Sequence, residues 1–441
     1  ACLESLQSAG ITSYFVGGAV RDTYMGVKSD DIDICLVGAT SLADVRKIIR
    51  TYCDSISAPV GESFSVLIAD FEGGKYDFAL ARTEMSTGPQ HRDFAASVVN
   101  VSIEQDLGRR DMTINAIAVN TLTGEVIDPY NGISDIKNRI ARVVSFAFME
   151  DPVRVFRFAR FISSFNLSWD EEARWMCSKI DVTALPGERV GMELEKMFKQ
   201  ARTPSLFFEF LWECDHLKEW LPEFAILDQI EQDAGWHPEG NVMCHTLHCM
   251  NAATDPFIRC VMLCHDLGKA TTTIEAGGTW KAPGHAKAGV APTLSMLQRI
   301  KFMDGAYQKK VACLVENHMF HTISDPTPRA VKRMVRRLHA AECTFDQLVE
   351  VCRCDVTGRP PMVGYTPNIG QDIATKFVET NSIERIVNGD MLKALGFEQG
   401  RHLGIMLKQF ENMQDEETLT VENWKDWVGS VDLYAEKVIL G

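Results

Sequence analysis

The sequence predicts an α+β head, a small mixed sheet with helices, followed by an all-α remainder. Three observations predict it. Residues 11–140 alternate short apolar runs with Gly, Asn and Asp punctuation, the pattern of strands joined by tight turns. From about residue 150 the apolar residues recur at three- and four-residue spacing, with few strand signals. The length, 441 residues, corresponds to roughly two to four domains, each able to bury its own core.

Within the head, residues 13–17 and 31–38 are expected to be strands and 42–52 a helix. Residues 65–71 and 76–82 flank Glu72-Gly73-Gly74-Lys75, a hairpin turn in which glycine accepts positive φ. The helical pattern then occupies 151–165, 188–200, 204–219, 245–265, 286–301, 306–318, 328–339 and 402–414. Breakers cluster at Gly235-Trp236-His237-Pro238 and at Gly358-Arg359-Pro360-Pro361, where boundaries are expected. No internal repeat or low-complexity segment is present.

The composition, 46% hydrophobic and 24% charged, excludes collagen-like, disordered and disulfide-scaffold classes. No run approaches the about 18 apolar residues of a spanning helix, and Ala1-Cys2-Leu3-Glu4 lacks a basic segment ahead of an apolar one. A cytoplasmic protein without a membrane partner is therefore expected. The 13 cysteines are an odd number scattered through apolar context, so reduced core thiols are expected. No pair has the two-residue gap of a zinc knuckle, which argues against a cysteine zinc site. The net charge of −15 restricts any nucleic-acid contact to local basic faces. Such clusters occur at 137–142, at 196–202 and at 329–337, where five of nine residues are Lys or Arg.

The chemistry concentrates in the head. In Phe15-Val16-Gly17-Gly18-Ala19-Val20-Arg21-Asp22 a double glycine precedes a helix carrying Arg21, an arrangement that offers backbone N–H groups and a guanidinium to phosphates. Asp31 and Asp33 follow at strand spacing and so share one face, with Ile32, Ile34 and Leu36 on the other. Two carboxylates on one face repel unless a divalent cation joins them, and oxygen ligands suit Mg²⁺ carried with substrate phosphates. An Asp-x-Asp alone reads as a solvated strand end; the upstream Gly17, Gly18 and Arg21 turn the reading to the metal site. Asp77, on the strand after the hairpin, is a candidate third carboxylate and proton acceptor. Arg109 and Arg110 suit phosphate oxygens, and Asp111 a ribose hydroxyl. Asp151 is expected to cap a helix with Pro152 in its first position. Asp151, Arg154 and Arg157 then point into a cleft while Val155, Phe158, Ala159 and Ile162 are buried.

In this order the motifs resemble the class II tRNA nucleotidyltransferases, the CCA-adding enzymes of the polymerase β-like superfamily. The resemblance adds Ser102-Ile103-Glu104-Gln105-Asp106-Leu107-Gly108-Arg109-Arg110-Asp111-Met112-Thr113-Ile114-Asn115-Ala116, Ile127-Asp128-Pro129-Tyr130-Asn131-Gly132, Glu150-Asp151-Pro152-Val153-Arg154 and Glu188-Arg189 with Glu193. It implies that Asp31 and Asp33 hold two Mg²⁺ ions that activate the RNA 3′ hydroxyl. It also implies that Arg110 and Asp111 contact sugar and triphosphate, and that Asp151 and Arg154 read the base of CTP or ATP. The partners so implied are tRNA, CTP and ATP.

A second resemblance, to HD phosphohydrolases, rests on His245, then His265-Asp266-Leu267-Gly268-Lys269, then Asp355. It implies a divalent transition metal on His245, His265, Asp266 and Asp355, with His285, His318 and His321 available to extend the site, and a phosphatase or cyclic phosphodiesterase activity. The organisation implied is a catalytic head (1–140), a helical neck and body (141–225), an HD domain (226–360) and a C-terminal helical module (361–441). A poly(A) polymerase, an enzyme adding only CC or only A, and an RNA-binding protein with an inactive site remain alternatives. The HD order disfavours the first and the full set of head residues the last. A loop over 84–102, with Gly88-Pro89 and Gln90-His91-Arg92-Asp93, favours addition of all three nucleotides. Monomer and homodimer stay equally open.

Overall fold

The computed structural model describes residues 1–28, 32–58, 66–86, 94–323, 326–360, 374–375, 377–378, 385–416 and 418–440. Two compact units result: Ala1–Ala225 with Met296–Phe302, and Ile226–Ser295 with Met303–Gly441. Among the described residues no helix is long and apolar enough to cross a membrane.

The first unit opens with α1 (Cys2–Ser8), β1 (Thr12–Val16), α2 (Gly18–Met25), β2 (Ile32–Val37) and α3 (Leu42–Ile49), followed by β3 (Ser55–Ile56), β4 (Val66–Phe71) and β5 (Gly74–Leu80). A hairpin of β6 (Thr83–Ser86) and β7 (Phe94–Ser97) precedes α4 (Ile103–Gly108), β8 (Ala118–Asn120), β9 (Val126–Ile127) and α5 (Gly132–Asn138). Among the described residues seven strands form one mixed sheet in the order β3-β4-β5-β2-β1-β8-β9. Only β2 and β5 of these run parallel. Strand alternation decides the two faces: Ile34 and Leu36 pack with Leu6, Val45, Ile49 and Phe78 on one. Cys35 packs with Val16, Ile103 and Leu107 on the other. Asp33 shares the parity of Cys35, so it lies on the face that α4 covers only in part.

Two glycines make this head compact. Gly17 ends β1 with φ +67, which admits the turn into α2. A side chain on Gly132 would place its Cβ 2.1 Å from the Thr113 carbonyl oxygen, so α5 can dock there only through glycine.

The helical part continues with α6 (Val153–Phe165), α7 (Glu171–Ser178), α8 (Gly187–Gln200) and α9 (Ser205–Glu213). The stripe Val155, Phe158, Ala159 and Ile162 is buried, Phe158 meeting Phe148 and Phe210 at ring-centroid distances of 5.8 and 5.2 Å. The long helix expected over 204–219 stops at Cys214, because Asp215 adopts φ 63. In the second unit the stretch 245–265 is two helices, Val242–Ala252 and Pro256–Cys264, divided where Asp255 caps the second and Pro256 starts it. The remainder is not wholly α: Ile274–Ala276 and Thr279–Lys281 form a hairpin around Gly277 and Gly278, both at positive φ. The last helices, Gly389–Ala394, Arg401–Asp415 and Val428–Leu440, share a core of Leu392, Leu403, Met406, Phe410, Trp424 and Val431.

Candidate functional site

A cavity of about 1460 Å³ lies in the first unit. Its wall carries Gly17, Gly18, Arg21, Asp33, Asp77, Arg110, Asp111, Asp151, Arg154 and Arg157. Asp31 lies outside the described residues. The parallel register pairs Asp33 with Asp77, so these carboxylates lie side by side on adjacent strands and one face. Gly17 sits against them: a Cβ there would be 3.2 Å from Asp33 Oδ2 and 3.2 Å from Arg110 Nη1. Its lack of a side chain lets backbone, carboxylate and guanidinium converge.

Arg110 is aimed by a residue whose role the motif reading passed over. Ser102 and Gln105 form a capping box that starts α4, and Asp106 on that helix is 1% exposed. Asp106 accepts from Arg109 Nη2 at 2.7 Å, from Arg110 Nη2 at 3.0 Å and from the Arg82 backbone N–H at 3.2 Å. Burial pushes the Asp106 carboxyl up, but Arg110 and Arg109 outweigh it and hold the group below its ordinary range. The three- and four-residue spacing from Asp106 to the two arginines was the available signal.

Arg21 differs from the expected free guanidinium. It is 8% exposed and donates through Nη1 to Asn115 Oδ1 (2.6 Å) and through Nε to Asp22 Oδ1 (2.8 Å). Its guanidinium carbon also lies 4.6 Å from the Phe165 ring centroid. A buried guanidinium must satisfy its donors, which is why it binds these partners first. Asn115 in turn donates to Asp111 Oδ1 at 2.9 Å, and Arg157 grips Asp111 Oδ2 through Nε (3.0 Å) and Nη2 (2.9 Å). Burial raises the Asp111 carboxyl, yet Arg157 and the hydrogen bonds from Asn115 and Arg157 prevail and hold it at about 2.

At the start of α6, Asp151 is extended and its Oδ1 accepts the Val153 N–H at 3.1 Å, while Pro152 already has helical torsions of −57° and −24°. The hydrogen-bonded helix is counted from Val153, one residue after the expected start. Arg154 donates Nη1 to the Ala147 carbonyl at 2.8 Å, which fixes its stem along the cavity wall. Deeper in α6, Arg160 Nε donates to Glu193 Oε2 on α8 at 2.6 Å, both side chains 7% exposed. Glu193→Ala would leave the buried Arg160 guanidinium without its carboxylate, with Gln200 Oε1 at 3.1 Å its remaining side-chain acceptor. A loss of about 3–5 kcal/mol in unfolding free energy is expected, read from the urea transition of the unit that holds it.

The second unit holds a separate cluster of titratable side chains. His245 and His265 are 0% exposed, Asp266 2% and Asp355 4%. His245 Nε2 lies 3.1 Å from Asp355 Oδ1, and its Nδ1 lies 2.8 Å from Glu239 Oε1. His265 Nε2 is 3.2 Å from Asp266 Oδ2 but makes no hydrogen bond, and Glu239 Oε2 has none either. His285 Nε2 meets Asp266 Oδ1 at 3.3 Å and His318 Nε2 at 3.1 Å. His321 stands further off, its Nε2 3.8 Å from Asp355 Oδ2. Burial lowers the His265 imidazole, but Asp266 beside it wins and raises it to about 10. Converging imidazoles and carboxylates, with a buried nitrogen left over, form a donor set suited to a divalent transition metal. Glu239 was not foreseen, since it follows a breaker-rich stretch with no periodic signal.

Several members of the basic clusters are held in ion pairs. Arg142 pairs with Asp135 and Asp170, Lys199 with Glu195, Arg329 with Glu416 and Arg336 with Asp415. Arg333 and Arg337 are exposed on the helix Pro328–Ala340 and line a cavity of about 450 Å³ with Arg385. The segment 84–102, expected to be a loop, instead contains the paired strands β6 and β7, and residues 87–93 lie outside those described.

Comparison with known proteins adds to this geometry. A family model described as the poly A polymerase head domain matches residues 13–142. A multifunctional CCA protein of Laribacter hongkongensis (strain HLHK9) is 36% identical over 359 residues, covering 79% of this chain and 85% of the relative. A multifunctional CCA protein of Tolumonas auensis is 33% identical, covering 78% and 84%. The fold is similar to that of the Bacillus stearothermophilus CCA-adding enzyme solved in complex with CTP. That likeness has a TM-score of 0.68, 21% identity and coverage of 99% of this chain and 97% of that one. It is also similar to the Thermotoga maritima CCA-adding enzyme complexed with tRNA, with a TM-score of 0.57, 18% identity and coverage of 99% and 94%.

Proposed function

The chain belongs to the multifunctional CCA protein family, and from that premise we propose that it adds CCA to the 3′ end of tRNA from CTP and ATP without a nucleic-acid template. The observation that carries this reading is the side-by-side register of Asp33 and Asp77 in one cavity with Arg110, Asp111, Asp151 and Arg154.

In this reading the RNA 3′ hydroxyl attacks the α-phosphorus, a P–O bond forms, and pyrophosphate leaves. Asp31 and Asp33 would hold Mg²⁺, whose charge, when bound, would neutralise the triphosphate and favour ionisation of the hydroxyl. Asp77, next to Asp33, receives the hydroxyl proton. Arg110, braced by Asp106, faces the triphosphate, and Asp111, fixed by Asn115 and Arg157, accepts from the ribose. Gly17 and Gly18 let the phosphates approach the backbone at the start of α2.

Base choice falls to Asp151 and Arg154. Cytosine and adenine both offer an exocyclic amine beside a bare ring nitrogen, so a carboxylate can accept from the first and a guanidinium donate to the second. Uracil and guanine present the reverse pattern. RNA backbone contacts are assigned to the exposed Arg333 and Arg337, and to those members of the 137–142 and 196–202 clusters that ion pairs leave accessible.

In the second unit the proposed activity is hydrolysis of phosphate monoesters or cyclic phosphodiesters. His245, His265, Asp266 and Asp355 hold a divalent transition metal there, and its contribution, when bound, is to make water ionise near neutral pH. A cyclic or terminal phosphate on a damaged RNA 3′ end would block addition, so the two activities suit one RNA end. The domain division proposed with this function is 1–140, 141–225, 226–360 and 361–441.

Supplying tRNA that lacks its 3′ end with each nucleotide singly and with CTP plus ATP, then sizing the product, tests the reading. Extension by three nucleotides that needs both CTP and ATP supports it. Long adenylate tails would mean a poly(A) polymerase, CC or A alone a partial enzyme, and no extension a binding protein. On the same assay Asp151→Ala and Arg154→Ala are expected to lower the preference for C and A over U and G by about 10–100-fold. The lost discrimination corresponds to ~1–3 kcal/mol per buried group left unpaired. An unchanged preference would return both residues to a helix-starting role.

A further inference from the structure

The cluster in the second unit contains a side chain that neither the His/Asp order nor the proposed activity uses. Cys249 follows His245 by one turn on the helix Val242–Ala252, so both point to the same side. Cys249 is 0% exposed, and its Sγ lies 3.4 Å from His245 Nε2 rather than among apolar groups alone. The same His245 nitrogen is 3.1 Å from Asp355 Oδ1. One donor atom from each of His245, Cys249, His265 and Asp355 lies within 4.8 Å of all the others.

The two separations from His245 Nε2, 3.4 Å to Cys249 Sγ and 3.1 Å to Asp355 Oδ1, match those around a bound ion. With zinc–sulfur bonds of about 2.3 Å and zinc–nitrogen bonds of about 2.0–2.1 Å, tetrahedral ligand atoms stand roughly 3.4 Å from one another. A further observation points the same way: His265 Nε2, fully buried, makes no hydrogen bond, although Asp266 Oδ2 stands 3.2 Å away. A buried imidazole nitrogen that lies against a carboxylate without a hydrogen bond suits a cation bound by both. The backbone also makes room for the thiol. A side chain on Gly358 would bring its Cβ to 2.3 Å from Cys249 Sγ, so glycine there lets the end of the helix Phe345–Thr357 close over the sulfur and carry Asp355 into reach.

We propose that Cys249 joins His245, His265, Asp266 and Asp355 as a thiolate ligand of the divalent ion in this site, which therefore takes a thiophilic metal such as Zn²⁺ or Co²⁺ in preference to Mg²⁺. The proposal rests on the reading of the second unit as a metal-dependent phosphohydrolase and names the class of metal for it. Soft thiolate and imidazole donors select zinc-like ions, whereas Mg²⁺ keeps oxygen ligands and water. On binding, the S–H bond of Cys249 is replaced by a sulfur–metal bond and the proton passes to solvent, with no change of oxidation state. A single thiol joining histidines and carboxylates differs from the paired cysteines of a zinc knuckle.

The test uses the full chain, stripped of metal and loaded with one equivalent of Zn²⁺ or Co²⁺. X-ray absorption of the zinc form is expected to show one sulfur neighbour at about 2.3 Å beside nitrogen and oxygen neighbours at about 2.0–2.2 Å. The cobalt form is expected to show a thiolate-to-metal charge-transfer band. Cys249→Ser should remove the sulfur neighbour and the band and lower zinc affinity by about tenfold or more, while Cys244→Ser retains both. A bound ion with nitrogen and oxygen neighbours only, in the unaltered protein, overturns the proposal and leaves the phosphohydrolase reading standing. A sulfur signal that survives Cys249→Ser also overturns it, by placing the ion on another thiol. Failure to bind any divalent ion overturns both.

Discussion

Asp33→Ala is expected to reduce nucleotide addition by about 10³-fold or more, because several kcal/mol of charge stabilisation at the reacting phosphate would depend on the ion it is proposed to hold and each 1.4 kcal/mol is tenfold. Asp31→Ala should do the same. Asp33 is exposed on the cavity face of β2, and the hydrophobic residues of that strand point into the two cores, so folding should be unaffected. Single-turnover incorporation of CMP into tRNA lacking its 3′ end measures the loss, and an unaltered thermal unfolding midpoint shows that the fold persists. Near-normal addition by either variant would sink the assignment of the carboxylates.

The second large effect is expected in the other unit. His265→Ala combined with Asp266→Ala should abolish hydrolysis of a 2′,3′-cyclic phosphate while leaving CCA addition largely unchanged, since none of the cavity residues of the first unit is altered. Asp266 also accepts an ion pair from Lys269 at 2.8 Å, so the double variant leaves a lysine without its carboxylate. Asp266→Asn preserves the shape and is expected to lose hydrolysis as well. The assay is run with Ni²⁺, Co²⁺, Mn²⁺ and Mg²⁺ in turn. No hydrolysis with any of them, or equal hydrolysis by the variants, would leave this unit as an RNA-binding scaffold.

What the sequence made legible were relations between near neighbours. The two-residue period of β2 assigns Asp33 and Ile34 to opposite faces, and the three- and four-residue period of α6 assigns Arg154 to the cavity and Phe158 to the core. Relations across the sheet were legible only in part: Asp77 could be named as a candidate third carboxylate, but its register beside Asp33 could not. Asp33 meets Asp77 only because β2 and β5 run parallel after an intervening helix and hairpin, and nothing local in either strand encodes that partner. Arg21 illustrates the same limit: its acceptor Asn115 lies 94 residues away, so the guanidinium read as available is already committed. The hairpin at 274–281 is a different case. Gly277-Gly278 between two short β-favouring runs is a turn signal in its own right, submerged by the helical periodicity on either side.

The sheet order carries a consequence for how the chain behaves at concentration. Its outermost strands, β3 and β9, are two residues each, while the long strands that face the cavity sit in the interior. A row of unpaired N–H and C=O groups at a sheet edge is a template on which another chain can add a strand, and the propensity grows with the length of flat edge on offer. Two residues offer almost no such template, and the open ladder that would accompany long β2 and β5 strands is spent inside the molecule. Among the described residues the head therefore offers another chain little edge on which to add a strand.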